Sequence, residues 1–242
     1  MLADNVLFID AEALVVDKPS GLPVDPPRDG SLSVENHLES LAFGFKRWPT
    51  PVHRLDRDTS GCLLLARHPK AHKRFAAAFE AGQVEKVYIA VLDGVPATSE
   101  GMIDLALEKI SSKEAGWRMT PSPNGKSART AWRMLAEHQG RALIEFRPET
   151  GRTHQIRVHA AAGLGAAIAG DPVYGNGRGP MLLHALRLIV QRTDKPPIDA
   201  TAPLPIRFAE AGFALPAVDL AAVDLAAANL AAPDAVADRA GA

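Results

Sequence analysis

His53-Arg54-Leu55-Asp56-Arg57-Asp58-Thr59-Ser60-Gly61 runs directly into Cys62-Leu63-Leu64-Leu65-Ala66. The second stretch reads as a buried strand. The first places the Asp56 carboxylate between two arginines at the mouth of that strand. Nearby cations favour the charged form of a carboxylate, and an ionised carboxylate with restricted motion can serve as nucleophile or general base. Ordinary surface loops also hold carboxylates between arginines, where each ion pair contributes little. On chemistry alone both readings stand.

On either side of this stretch the chain is rich in strand signals. Val6–Ile9 and Leu14–Asp17 read as short strands, the second ending in the turn Lys18-Pro19-Ser20-Gly21. Ser33 followed by Glu35 to Phe43 predicts a short capped helix. Pro69 to Ala81 predicts another, opened by proline and closed by Gly82. Lys86–Leu92, Ala128–Leu135, Ala142–Phe146 and Leu182–Val190 read as further strands. Strands outnumber helices, and short turns join them in place of regular helical crossovers. The sequence therefore predicts an α+β fold, a single catalytic domain over residues 1–208 around a mixed, largely antiparallel sheet with a central cleft. From residue 209 to 242 an alanine-rich acidic tail is predicted, partly ordered at most. Its leucines recur every five residues from Leu220, so on a helix they would drift around the axis and form no stripe.

Composition narrows the class. With 242 residues, 47% of them hydrophobic, the chain can build one sizeable core. Its single cysteine, Cys62, cannot form an internal disulfide, which points to a reducing, cytoplasmic setting. The N-terminus lacks a basic stretch before an apolar one, and no apolar run approaches the roughly 20 residues that span a bilayer. A soluble, monomeric protein with no membrane partner is expected. The net charge of −1 hides an asymmetry: five acids against one arginine from Ala209 onward leave residues 1–208 at +3. That balance permits an RNA partner without diagnosing one.

A second polar cluster lies at Gly151-Arg152-Thr153-His154-Gln155-Ile156-Arg157-Val158-His159. As a helix opened by Thr150 or Gly151, it would set Thr153 and Arg157 on one face and Arg152, Gln155 and His159 around another. Arg157 would then reach a carboxylate on a neighbouring strand while the other groups face a polyanion.

These residues, taken together, resemble the RluA-type pseudouridine synthases. The signature is His53-Arg54-Leu55-Asp56 with Thr59-Ser60-Gly61. Asp17-Lys18-Pro19-Ser20-Gly21-Leu22, Lys86-Val87-Tyr88-Ile89-Ala90-Val91 with Gly94, and the 151–159 cluster with Gly170-Asp171 and Tyr174-Gly175 follow in the family's order, as does Leu182-Leu183-His184-Ala185. The ordered set spans residues 14–187. The family often carries an N-terminal S4-type domain, for which the pattern leaves no room before Val6.

The resemblance implies an isomerase that converts specific uridines of ribosomal or transfer RNA to pseudouridine, needing neither metal nor organic cofactor. It implies that Asp56 is the catalytic nucleophile and that Arg157 pairs with it and keeps it ionised. Tyr88 would stack on the uracil and assist proton removal from C5, with Ile156 packed against the base. Arg54 would fill the gap left by the extruded nucleotide. His53, Arg152 and Leu183, in the matched stretches, are assigned to substrate binding. Arg54, Arg57, Lys86, Arg152 and Arg157 are expected to concentrate positive charge around the cleft, with Lys18 on its rim. Other readings fit less well. A non-catalytic RNA-binding protein has no chemical need for Asp56, Tyr88 and Arg157 together. A nucleoside hydrolase would need a second acid, and Asp58 is a poor candidate. His154 and His159 do not match zinc spacing, and Gly163-Leu164-Gly165 with Gly170 does not match a dinucleotide-binding turn.

Overall fold

The computed structural model describes residues 2–112 and 116–214. Strands β1 (Val6–Ile9), β2 (Ala13–Lys18), β3 (Thr50–Pro51) and β4 (Ser60–Ala66) come first, followed by helix α1 (Pro69–Glu80). Strands β5 (Val84–Leu92), β6 (Glu100–Asp104), β7 (Leu107–Ser112), β8 (Gly116–Pro121), β9 (Arg129–His138) and β10 (Arg141–Pro148) follow. Helix α2 (Gln155–Val158), strands β11 (Leu183–Val190) and β12 (Ile198–Thr201) and helix α3 (Ile206–Glu210) complete the order. The main sheet runs β1-β2-β4-β11-β5-β10-β9-β6, with β3 on β4 and β12 on β11. Its β4–β11 pair is parallel and its other pairings are antiparallel, which is the mixed sheet predicted. β7 and β8 form a separate hairpin.

β4 shows why the opening apolar run is a strand. All seven of its residues are buried, and alternate side chains enter opposite cores. Cys62, Leu64 and Ala66 pack with Ala71 and Phe75 of α1, whereas Leu63 and Leu65 pack with Leu14, Val16, Val34 and Leu41. A strand covered on both faces needs apolar residues at every position. Where β4 meets β11, Gly61 sits at φ 109°, and a Cβ there would overlap the Ala185 carbonyl. Only glycine allows that approach. In α1, Pro69 occupies the first turn, the His68 imidazole accepts from the Ala71 N–H, and the chain leaves through Gly82 at φ 70°.

Two predicted helices differ. In place of a helix over Glu35 to Phe43 there is one 3₁₀ turn, Val34–His37, capped reciprocally by Ser33 and Asn36. Beyond it the chain runs on as i→i+3 turns, Leu41 to Leu38, Ala42 to Glu39 and Phe45 to Ala42. The left-handed residues Phe43 and Gly44 end the stretch where the buried Arg67 guanidinium donates to the Ala42 and Phe43 carbonyls. The 151–159 helix starts only at Gln155, because His154 is itself left-handed at φ 54°. Thr153 therefore shares no helix face with Arg157. Beyond α2 the backbone widens into a π turn, His159–Gly163. At the C-terminal end, Phe208 and Phe213 are both buried beside Val87, Ile89 and Leu143, so the chain just past residue 208 packs with the core. The rest of the predicted tail, residues 215–242, lies outside the described residues. No helix among the described residues is long and apolar enough to cross a membrane.

Candidate active site

The loop that carries Asp56 is pinned from beneath by the turn that follows β2. Lys18 is fully buried, and its Nζ donates to the carbonyls of Pro19 (3.0 Å), Leu22 (2.7 Å) and Arg57 (3.0 Å). The backbone N–H of Gly21 donates to the Arg57 carbonyl, the Arg57 Nε returns to the Gly21 carbonyl, and the Ser20 hydroxyl donates to the Asp58 carbonyl. Burial pushes Lys18 down to about 8, against the pull of Asp58 and Asp56. A neutral amine has only two hydrogens, however, so three carbonyl acceptors require the ammonium. Lys18 is thus an internal strut and not the rim cation expected. Lys18→Met is expected to cost about 3 kcal/mol, since it strands buried carbonyls. A urea melt reads this; a cost below about 0.5 kcal/mol would show that the strut does not hold the loop.

At the loop's start, the His53 Nε2 accepts the Leu64 N–H at 3.0 Å and its ring stacks on Phe79 at 4.5 Å. Burial, aided by the Lys86 charge, pushes His53 down to about 3, so the ring is neutral with its hydrogen on Nδ1.

Asp56 meets Arg157 at 3.1 Å from Oδ2 to Nη1. Its side chain is 22% exposed, whereas that of Arg157 is 6% exposed. Arg157 is fixed from behind by a carboxylate that sequence reasoning did not single out. Asp171 receives Nε and Nη2 at 2.7 Å each, a bidentate fork, and its Oδ1 also accepts the backbone N–H groups of Val173 and Tyr174. Burial alone would raise the Asp171 carboxyl, but the Arg157 bonds and charge hold it below its ordinary value. Burial opposes the Arg157 charge, yet Asp171 and Asp56 outweigh it and push the guanidinium further up. The signal was present in Gly170-Asp171, one of the matched pairs. Its partner was not readable from spacing.

His154 closes the other side of Asp56. Its Nε2 lies 3.8 Å from Asp56 Oδ2, and its Nδ1 is 3.0 Å from the Tyr174 hydroxyl. That hydroxyl also accepts the Met119 N–H at 2.9 Å. Trp117 of β8 stacks on the same imidazole at 4.9 Å. Burial lowers the His154 pKa, against the pull of Asp56.

These groups open onto a cavity of about 800 Å³. His53, Arg54, Asp56, Tyr88, Arg152, Ile156, Arg157 and Leu183 all line it, although they come from four separate stretches of chain. Arg54 is exposed and pairs with Asp25 at 3.2 Å. Arg152 is exposed, with its Nε on the Ser127 carbonyl. Ile156 and Leu183 form an apolar wall with Ala90 and Phe146. Tyr88, on β5, has its phenol pushed up by burial and by the Asp56 charge, so its proton is held. Lys86 also faces the cavity, and burial pushes it down to about 8.

Two members of the polar cluster depart from expectation. The Gln155 amide is turned inward, donating to the Arg129 carbonyl and Thr130 Oγ1 and accepting from Thr150 and Arg152. His159 is fully buried, between Thr130 Oγ1 and the Leu105 carbonyl. Both fasten α2 to β9 and neither faces a polyanion.

Residues 12–162 match the family described as RNA pseudouridylate synthase. An uncharacterized RNA pseudouridine synthase of Zymomonas mobilis is 60% identical over 217 residues, covering 88% of this chain and 99% of that protein. Ribosomal large subunit pseudouridine synthase D of the same organism is 37% identical over 189 residues, covering 75% of this chain and 58% of that protein. Among solved structures, human RNA pseudouridylate synthase domain containing 4 aligns with a TM-score of 0.73 at 27% identity, covering 86% of this chain and 91% of that one. The matched span contains Asp56, Tyr88 and Arg157, and the chain belongs to the RNA pseudouridylate synthase family.

Proposed function

We propose that this pseudouridine synthase uses Asp56 as its nucleophile and ribosomal RNA as its substrate. The observation that carries the reading is the Asp56–Arg157–Asp171 line at the cavity. A partly exposed carboxylate is held at 3.1 Å by a guanidinium that a buried carboxylate fixes in place. That arrangement keeps Asp56 aimed and leaves an oxygen open to substrate.

In the reaction, an Asp56 oxygen attacks the uridine at C1′ of the ribose or C6 of the base. The glycosidic bond from C1′ to N1 breaks, the uracil turns, and C5 joins C1′. The Asp56 oxygen leaves C1′ in that step, or leaves C6 after it, restoring the carboxylate, and the C5 proton leaves as N1 gains one. Atoms and charge balance without a redox partner. Tyr88 serves as the face on which the uracil turns, with Ile156 and Leu183 as the apolar wall. Its held proton suits a stacking phenol and not a standing base. Arg54 and Arg152 meet phosphates at the mouth.

Ribosomal RNA is favoured because the synthase D relative is named for the large ribosomal subunit. Pseudouridine mapping of ribosomal and transfer RNA, with and without this gene, tests it. Loss of one or more large-subunit sites is expected. Loss confined to transfer RNA would overturn the choice of substrate, and no loss at all would overturn the activity.

A further inference from the structure

Phe43-Gly44-Phe45-Lys46-Arg47-Trp48 forms a loop beside the start of α1, on the opposite end of that helix from the cavity. Segments 41–55 and 67–79 together carry seven lysines and arginines and no aspartate or glutamate. Arg54 and Arg74 are taken by Asp25 and Glu12 and Arg67 is buried, which leaves Lys46, Arg47, Lys70 and Lys73 with no acid partner among the described residues.

The loop is firmly built. Arg67, only 6% exposed, donates to the carbonyls of Asp10, Ala42 and Phe43 at 2.9, 3.0 and 3.3 Å. Its guanidinium also lies 3.7 Å from the centre of the Phe45 ring. So anchored, the loop presents Trp48, 56% exposed, at a concavity of about 310 Å³ that Arg47, Thr50, His72 and Lys73 also line. Among the described residues Arg47 and Lys73 pair with no acid, in contrast to Arg74, which is taken by Glu12.

A protruding tryptophan between unpaired cations complements a chain that carries both flat rings and negative charge. Single-stranded nucleic acid is such a chain, since unpaired bases expose their faces and duplex bases do not. α1 links the two places: Pro69 borders the concavity, and Phe79 and Glu80 border the cavity. Twelve helical residues span about 18 Å, within reach of one RNA strand.

We propose that the 43–48 loop and the first two turns of α1 hold unpaired nucleotides of the substrate RNA flanking the target uridine. One base stacks on Trp48, and adjoining phosphates meet Arg47 and Lys73. The proposal rests on the reading of the chain as an enzyme acting on RNA.

Fluorescence anisotropy with a labelled oligouridylate, and with a fully paired RNA duplex for comparison, tests it on the full chain. Trp48→Ala is expected to weaken oligouridylate binding about tenfold and to leave duplex binding unchanged, and Trp48→Phe to restore most of the loss. Arg47→Ala with Lys73→Ala is expected to reduce the slope of log affinity against log salt by about 1.4, or about 0.7 for each phosphate. Unchanged affinity and slope in these variants would overturn the proposal. So would equal weakening toward the duplex, or no rescue by phenylalanine. Pseudouridine formation by the wild-type protein is a separate readout. If no pseudouridine forms but binding depends on Trp48, the enzyme reading falls and the surface stands. If pseudouridine forms and binding ignores all three residues, the surface alone falls.

Discussion

Asp56→Asn is expected to abolish pseudouridine formation, by at least about a thousandfold, while the protein remains folded. Asparagine keeps the shape of the side chain but removes the negative charge and the attacking electron pair. The fold should tolerate this because Asp56 is partly exposed and Arg157 keeps its bidentate anchor on Asp171. Nucleoside chromatography of a ribosomal RNA transcript measures the product, and thermal melting checks the fold. Activity within about tenfold of the wild type would remove Asp56 from the mechanism.

Arg157→Met is expected to fail in two ways at once. It removes the partner of Asp56, lowering turnover, and it leaves the fully buried Asp171 with an uncompensated charge, costing about 3–5 kcal/mol. A double variant separates the effects: adding Asp171→Asn removes the stranded charge and should recover much of the stability but none of the activity. The pH dependence has opposite signs in the two proteins. In the wild type the Asp171 carboxyl is held below its unfolded value of about 3.9, so its contribution is present above that pH and is lost as pH falls through the folded value. In Arg157→Met burial, the largest influence on Asp171, is opposed only by the Val173 and Tyr174 N–H groups. The folded value is expected to rise above the unfolded one, and stability to grow as pH falls through it. Denaturant melts between neutral and acid pH read both limbs. A single variant that is no less stable than the double one would refute the stranded-charge account.

The mixed sheet was legible because β4, β5, β10 and β11 carry apolar runs short enough for strands and bounded by turn residues, as strands buried on both faces require. The site stretches were legible because several polar motifs occur in one order. What escaped depends on partners distant in sequence. Nothing near Gln155 tells that Thr130, 25 residues earlier, turns its amide inward. Nothing near Arg157 tells which of many carboxylates lies behind it. β6 and β8, with Gly101, Asp104, Gly116 and Arg118, carry weak local signals and become strands through pairing with β9 and β7. The end of the expected helix over Glu35 to Phe43 was not legible because the Ala42 and Phe43 carbonyls are taken by Arg67, 25 and 24 residues away in sequence.

The strand order also governs when activity can arise during synthesis. β11 lies between β4 and β5 and pairs with both. A nascent chain that has emerged only as far as residue 182 therefore holds two sheet fragments, with Asp56 leading into one and Tyr88 on the other. Non-local pairing of this kind is slow and leaves strand edges open meanwhile. A protein truncated after Leu182 is expected to bind a hydrophobic dye and to make no pseudouridine, although it retains Asp56, Tyr88 and Arg157. The ribosome thus finishes nearly the whole domain before its product can act on any RNA.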